Sequence, residues 1–371
     1  MRIAFICGAG LVGGKERQTL ASMIQLKNEG HEVFCVTSSW GTSEFTDLLL
    51  GNDIAFIKIR IGFISKTINL SSVRMTLHQL LYIPSLWRRY RKALKIFKPQ
   101  FVIHTNFHHL FLLSPVLGSA KQIFYVHDYF SPAPFYCRLF SFFNRRIDLF
   151  IGVSKFITES LTQLGISRVK VDLVYNGISA PILESAAIVE STSFKIGIIG
   201  QIGEWKGHHV LIKALAPILR ENRNIELHVI GDGGEVYVNS VVALIEEEEI
   251  RDQVIFRGRI FELTEIYKCL SIVCVPSLIN ESFGLAAIEP GFFSIPVICS
   301  DLGALPELVE NHVSGLVVSA NNIDALRESI HQLLDHPQQR LAMGAAAKKR
   351  SNELFTIQQS TSNLINTLNR L

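Results

Sequence analysis

Phe194-Lys195-Ile196-Gly197-Ile198-Ile199-Gly200 is an apolar run, and Gln201-Ile202-Gly203-Glu204-Trp205-Lys206-Gly207-His208 after it is a glycine-rich loop. Apolar residues at helical spacing follow from Val210 to Leu219. The chain opens in the same order. Arg2 to Cys7 reads as a strand, Gly8-Ala9-Gly10-Leu11-Val12-Gly13-Gly14 as the loop, and Thr19 to Leu26 as a helix closed by Gly30, with a second strand from Glu32 to Thr37. Short apolar runs bounded by glycine and alternating with helix-length periodic segments are the pattern of parallel βαβ units. Meeting it twice predicts two Rossmann-like units in an α/β chain. Length agrees, since 371 residues, 48% of them apolar, exceed what one ordinary core organises.

Further strands are expected at Phe101 to His104, Gln122 to Val126, Phe150 to Ser154 and Val171 to Val174 in the first half. The second half adds Glu226 to Ile230, Val254 to Gly258, Leu270 to Val275, Ser294 to Ser300 and Gly315 to Val318. Residues 51–75 read as a strand and loop over a substrate cleft. The divisions are a first domain over 1–178, a connecting segment over 179–193, a second domain over 194–350 and a helical tail over 351–371, with a break near Ser351 to Thr356.

The net charge of +3 and the absence of aromatic residues interleaved with a basic surface exclude general nucleic-acid binding. Six cysteines form no CxxC pair, and four lie in apolar strand-like runs, which reads as reduced thiols and a cytoplasmic setting. No apolar stretch reaches bilayer length, and Met1 leads into a strand rather than a signal peptide.

Val275 to Pro290 carries the densest chemistry. The run Leu270 to Val275 turns through Glu281-Ser282-Phe283-Gly284 into a helix start, where the N–H groups of Gly284, Leu285 and Ala286 face an anion and Gly284 lets the backbone approach it. Glu281 precedes that turn and Glu289 lies about two turns into the helix, and carboxylates there suit the hydroxyl groups of a sugar. Lys206, in the loop before the Val210 helix, can meet a diphosphate, although an ordinary surface lysine is the simpler reading of that position alone. Gly8, Gly10 and Gly13 spell GxGxxG, so a nicotinamide-dependent oxidoreductase must be weighed; the acidic residue expected after the second strand is missing, and a tight strand-to-helix turn explains the glycines equally. His104, His108 and His109 lack a carboxylate or cysteine at a recognised ligand spacing, so no metal is expected. His127 ends a strand at the edge where parallel sheets bind ligands.

In this order the motifs resemble the retaining glycosyltransferases of GT-B fold, family 4 (glycosyl transferases group 1). Gly200, Lys206-Gly207, Gly231-Asp232-Gly233, Glu281-Ser282-Phe283-Gly284, Glu289, Gly303-Ala304, Glu307 and Gly315-Leu316 carry the likeness, joined by Gly13-Gly14, Gly30-His31-Glu32-Val33, His127 and Asn176-Gly177-Ile178. The resemblance implies two Rossmann-like domains with a cleft between them and a C-terminal helix crossing back to the first. It implies a metal-independent, retaining transfer from a nucleoside-diphosphate sugar of UDP or GDP type, with no cofactor. Glu289 would hold the donor ribose, and Lys206, with the amides of Leu285 and Ala286, the diphosphate. Glu281 would bind the sugar near the reacting carbon, and His127 and the Gly13-Gly14 loop would complete the site. Gln201 stands where the family commonly has arginine, which shifts phosphate stabilisation onto Lys206. A non-catalytic nucleotide-sugar-binding partner subunit is the alternative that Gln201 favours.

Two segments bear on the acceptor. Residues 86–98 form a basic helix with apolar Leu86, Tyr90, Ala93, Leu94 and Phe97 at helical spacing, and residues 135–146 are rich in phenylalanine and arginine. A solvated face is the simpler reading; contact with an anionic membrane surface is the sharper one, and it favours a glycan or lipid-linked acceptor at the inner face.

Overall fold

The computed structural model describes residues 1–8, 12–40, 42–62, 70–180 and 193–371, with the backbone alone for 70–75. The chain forms two compact units, one made of Met1–Ser179 with Ile357–Leu371 and the other of Ala180–Thr356. Most of the connecting segment expected at 179–193, and Gly10 of the glycine triplet, lie outside the described residues.

The first unit is built on seven strands: β1 (Arg2–Ile6), β2 (Glu32–Ser38), β3 (Ala55–Ile59), β4 (Phe101–His104), β5 (Lys121–Val126), β6 (Leu149–Gly152) and β7 (Val171–Leu173). Their spatial order is β3-β2-β1-β4-β5-β6-β7, with every pairing parallel. The second has β8 (Phe194–Ile199), β9 (Ile225–Ile230), β10 (Val254–Gly258), β11 (Ile272–Val275), β12 (Val297–Ser300) and β13 (Gly315–Val318), in the order β10-β9-β8-β11-β12-β13 and again all parallel. Central strands such as β11 and β12 are buried at every position, which is why they read as continuous apolar runs rather than alternating ones. In the second unit Ile196, Ile198, Leu211, Leu215 and Ile218 pack with Leu227 and Val229, so β8, β9 and the helix His208–Glu221 share one core. The six cysteines are all free thiols.

Each sheet reverses its direction of growth once, between β1 and β4 and between β8 and β11. Such reversal points leave a crevice at the carboxyl ends of the two strands, because the loops leaving them part to opposite faces of the sheet.

Two local readings change, and the break expected in the tail is found. Leu70–Leu81 is a helix, so Leu70 to Met75 are not loop; hydroxyl-bearing Ser71 and Ser72 resemble turn residues but sit in its first turn. The helix after Gly284 is a single turn, Leu285–Ile288, and Glu289 begins a 3₁₀ segment, Glu289–Phe293, instead of lying two turns into an α-helix. Pro290 has no N–H to continue the ladder. The tail breaks at Phe355 and Thr356, between the helices Pro337–Leu354 and Ile357–Asn369. The second of these belongs to the first unit: Ile357 N–H donates to the Ile178 carbonyl at 2.9 Å, Ser360 Oγ to the Tyr175 carbonyl at 2.6 Å, and Arg370 pairs with Asp172.

Candidate active site

In the second unit, the loops leaving β8 and β11 bring the charged residues of the sequence reading together. Lys206 closes a short 3₁₀ turn, Glu204–Lys206, and Glu281 follows β11; their side chains meet with Nζ 2.6 Å from Oε1. Both are largely covered, with 26% and 15% of their side-chain surface exposed, so the pair is screened less than a surface ion pair. Ser277, fully buried, donates its hydroxyl to the same Glu281 oxygen at 2.6 Å, and Ser300 Oγ donates to the Ser277 carbonyl at 2.7 Å.

Two glycines hold this geometry. Gly207 has φ +71°, and a Cβ there would run into the Pro276 carbonyl, while Leu278 N–H donates to the Trp205 carbonyl at 2.8 Å. The two loops therefore touch backbone to backbone. Gly303, at φ +62°, lies against the backbone of Glu281, whose carbonyl accepts from Ala304 N–H at 2.9 Å. Larger residues would push Glu281 away from Lys206.

Glu289 is partly exposed, and its Oε2 accepts a hydrogen bond at 2.6 Å from the hydroxyl of Tyr267, a fully buried residue at the end of the helix Leu263–Tyr267. Gly284 (φ +108°), Leu285 and Ala286 are half-buried at the start of the single helical turn, and Gln201 is exposed. Next to Lys206, burial holds His208 down to about 4, against a hydrogen bond with the Gly203 backbone that raises it.

Sequence reasoning missed Ser277 and Tyr267. Ser277 stands four residues before Glu281, a spacing that hints at a local contact; Tyr267 gives no local signal, because its partner is 22 residues away.

The first unit holds the other expected residues. Gly13 and Gly14 are exposed at the start of the helix Gly14–Asn28, and the Glu16 carboxylate accepts from Gly13 N–H at 3.1 Å. Lys15 lies 3.4 Å from Asp128, the neighbour of His127. Burial, helped by the charge of Lys15, pushes His127 down to about 3, so its imidazole is neutral at physiological pH; its ring lies against Tyr125, with centroids 4.6 Å apart. At Gly8 (φ +96°) a Cβ would strike Thr37 and Phe45, so packing alone demands that glycine. His104 and His109 are wholly buried, and His104 bonds Gln122 at 2.9 Å. Among the described residues no group of three or more His, Cys, Asp or Glu side chains is placed to hold a metal ion.

Of the two segments weighed for a membrane surface, the helix Ile83–Phe97 turns Leu86, Tyr90 and Ala93 inward and leaves Arg88, Arg89, Arg91, Lys92 and Lys95 exposed. The helix Pro134–Asn144 buries Phe140 and Phe143 but exposes Phe135 and Phe142 beside Arg138 and Arg145. No helix among the described residues is long and apolar enough to cross a membrane.

Two all-parallel Rossmann-like units are the make-up of the GT-B class of fold. The structure of Alr3699/HepE from Anabaena in complex with UDP and glucose superposes with a TM-score of 0.83 over 100% of both chains at 19% identity. The lipopolysaccharide outer core galactosyltransferase WaaB does so at 0.73 over 100% of both chains and 17% identity. At the sequence level residues 12–180 match the model described as Glycosyltransferase Family 4, and residues 184–350 that described as Glycosyl transferases group 1. The chain belongs to glycosyltransferase family 4. The D-inositol 3-phosphate glycosyltransferase of Corynebacterium aurimucosum is 32% identical over 160 residues, which are 41% of this chain and 37% of that protein. The chain thus spans a little over a third of the length of that curated relative.

Proposed function

We propose that the protein transfers a sugar from a nucleoside-diphosphate donor of UDP or GDP type to a glycan or lipid-linked acceptor, with retention of anomeric configuration and without a metal ion. The observation that carries this is the convergence of Lys206 and Glu281 at the β8/β11 reversal point, with Glu289 on the next turn. Departure of a nucleoside diphosphate builds negative charge, and a partly buried ammonium supplies the compensation that a metal ion would otherwise give. Glu281 then has a second task, accepting from hydroxyls of the donor sugar, while Glu289 accepts from the ribose. The amides of Leu285 and Ala286 add donors to the diphosphate. Gln201 can donate to phosphate but carries no charge, so Lys206 bears the electrostatic load. The UDP complex of the Anabaena protein supports a uridine donor.

The cationic helix Ile83–Phe97 and the exposed Phe135 and Phe142 favour an acceptor held at an anionic lipid surface. Calorimetry with UDP-, GDP- and ADP-sugars, beside Lys206→Ala and Glu289→Ala, tests the reading. One donor should bind, and each variant should weaken it by at least about tenfold. Transfer, followed by NMR of the anomeric proton, should survive EDTA and quicken on vesicles containing phosphatidylglycerol. Binding without transfer to any glycan or lipid acceptor would favour a non-catalytic partner subunit, and no binding would sink the donor site.

A further inference from the structure

Tyr267 belongs to none of the motifs that carry the family likeness, yet it is tied to one of them. Its ring is fully buried, lies against Phe293 with centroids 5.4 Å apart, and aims its hydroxyl at Glu289 Oε2, 2.6 Å away. A tyrosine with no exposed surface cannot touch a substrate, so any effect it has on binding is indirect. That carboxylate, Glu289, takes part of its support from Tyr267. It sits where the single α-turn Leu285–Ile288 gives way to the 3₁₀ segment Glu289–Phe293, on a long side chain with several rotatable bonds and one partly exposed flank. A hydrogen bond from a phenol to an ionised carboxylate is short and directional, and this one anchors the side chain from the protein interior. Burial, and then the charge of Glu289, hold the phenol well above its usual range, so it stays protonated and remains a donor.

We propose that Tyr267 is the positioning residue that fixes Glu289 in the rotamer that receives the ribose diol of the donor nucleotide. The inference rests on the donor reading of Glu289, and the experiment separates the two. UDP and GDP, each beside its 2′,3′-dideoxy counterpart, are titrated calorimetrically into the wild-type protein, Tyr267→Phe, Glu289→Gln and the double variant. Tyr267→Phe keeps the buried ring, and a thermal melt verifies that the variant is folded.

The expected result is that Tyr267→Phe weakens the ribonucleotide about tenfold, leaves the dideoxynucleotide unchanged, and adds nothing once Glu289 is glutamine. In transfer assays KM for the donor rises and kcat holds. Equal weakening of both nucleotides, or full additivity with Glu289→Gln, would show a merely structural tyrosine and overturn the proposal. Ribose discrimination lost in Glu289→Gln but retained in Tyr267→Phe would overturn it while leaving the donor reading intact. If Glu289→Gln discriminates ribose from dideoxyribose as well as the wild type does, or neither nucleotide binds, both fall together.

Discussion

Lys206 faces competing demands. Its ammonium is matched by Glu281 at 2.6 Å, while the proposed reaction asks it to meet a diphosphate. Glu281 therefore opposes binding of the leaving group even as it serves the sugar. Glu281→Gln should tighten UDP alone by about fivefold, the scale of releasing one partly exposed ion pair. The same change should slow sugar transfer by about a hundredfold or more, because interactions made only on the way to the transition state are lost. Titration of UDP and a turnover assay on that variant measure both; weaker UDP binding would contradict the competition. Lys206 and Glu289 were legible in the sequence because each stands beside a glycine or proline, and Glu281 because it opens the turn Glu281-Ser282-Phe283-Gly284 after a strand-like run. Ser277 and Tyr267 were not, since a lone hydroxyl in an apolar neighbourhood reads as core until the fold supplies its partner.

At the level of the element, the loop after β12 acts as a wedge behind Glu281. Gly303→Ala would place a methyl group into the Glu281 backbone and force a residue with φ +62° away from glycine. Gly118 offers a control, for it has φ +88° but open space where its Cβ would go. Denaturant unfolding should show Gly118→Ala costing about 1 kcal/mol and Gly303→Ala about 2–4 kcal/mol, with only the latter weakening donor binding. Comparable losses in the two variants would argue against the wedge. The strands were readable because burial on both faces leaves an uninterrupted apolar run. Helix lengths were not: Pro290 stops a helix that periodicity alone would continue, and Ser71 and Ser72 sit inside a helix while looking like a turn.

Across the whole molecule, imidazoles held far below their usual range are spread unevenly, although each unit buries two histidines among the described residues, His104 and His109 in the first and His208 and His228 in the second. In the first unit His104 is held down to about 4 and both His109 and His127 to about 3, with burial the leading cause in each; in the second, His208 is held down to about 4. All four are neutral in both folded and unfolded chains well above pH 6.5, so they cost nothing there. Below 6.5 the unfolded chain takes up protons that the folded one refuses, and stability falls with pH until the folded values near 3 to 4 are reached. Each histidine contributes a slope of up to about 1.4 kcal/mol per pH unit in that window. Calorimetry between pH 7 and pH 4.5 should show the transition of the first unit, with three such groups, moving down faster than that of the second. Equal movement would mean that the imidazoles open to water before the unit melts. That there would be two such units was written in the repeated strand, glycine loop and helix. That the final helix belongs to the first came through the family resemblance alone, because its ties to Tyr175 and Asp172 span about half the chain and leave no local signal.

That last helix also sets an order of assembly. Ile357, Leu364 and Leu368 are buried, and the helix packs against Gly14–Asn28, so the unit that leaves the ribosome first lacks one of its walls until this helix has been made. At about 5–20 residues per second the wait lasts about ten to forty seconds. The Ala180–Thr356 unit, begun second, has all its parts earlier. Maturation then runs opposite to synthesis, and the apolar seat awaiting the helix is the surface that a nascent-chain chaperone would meet.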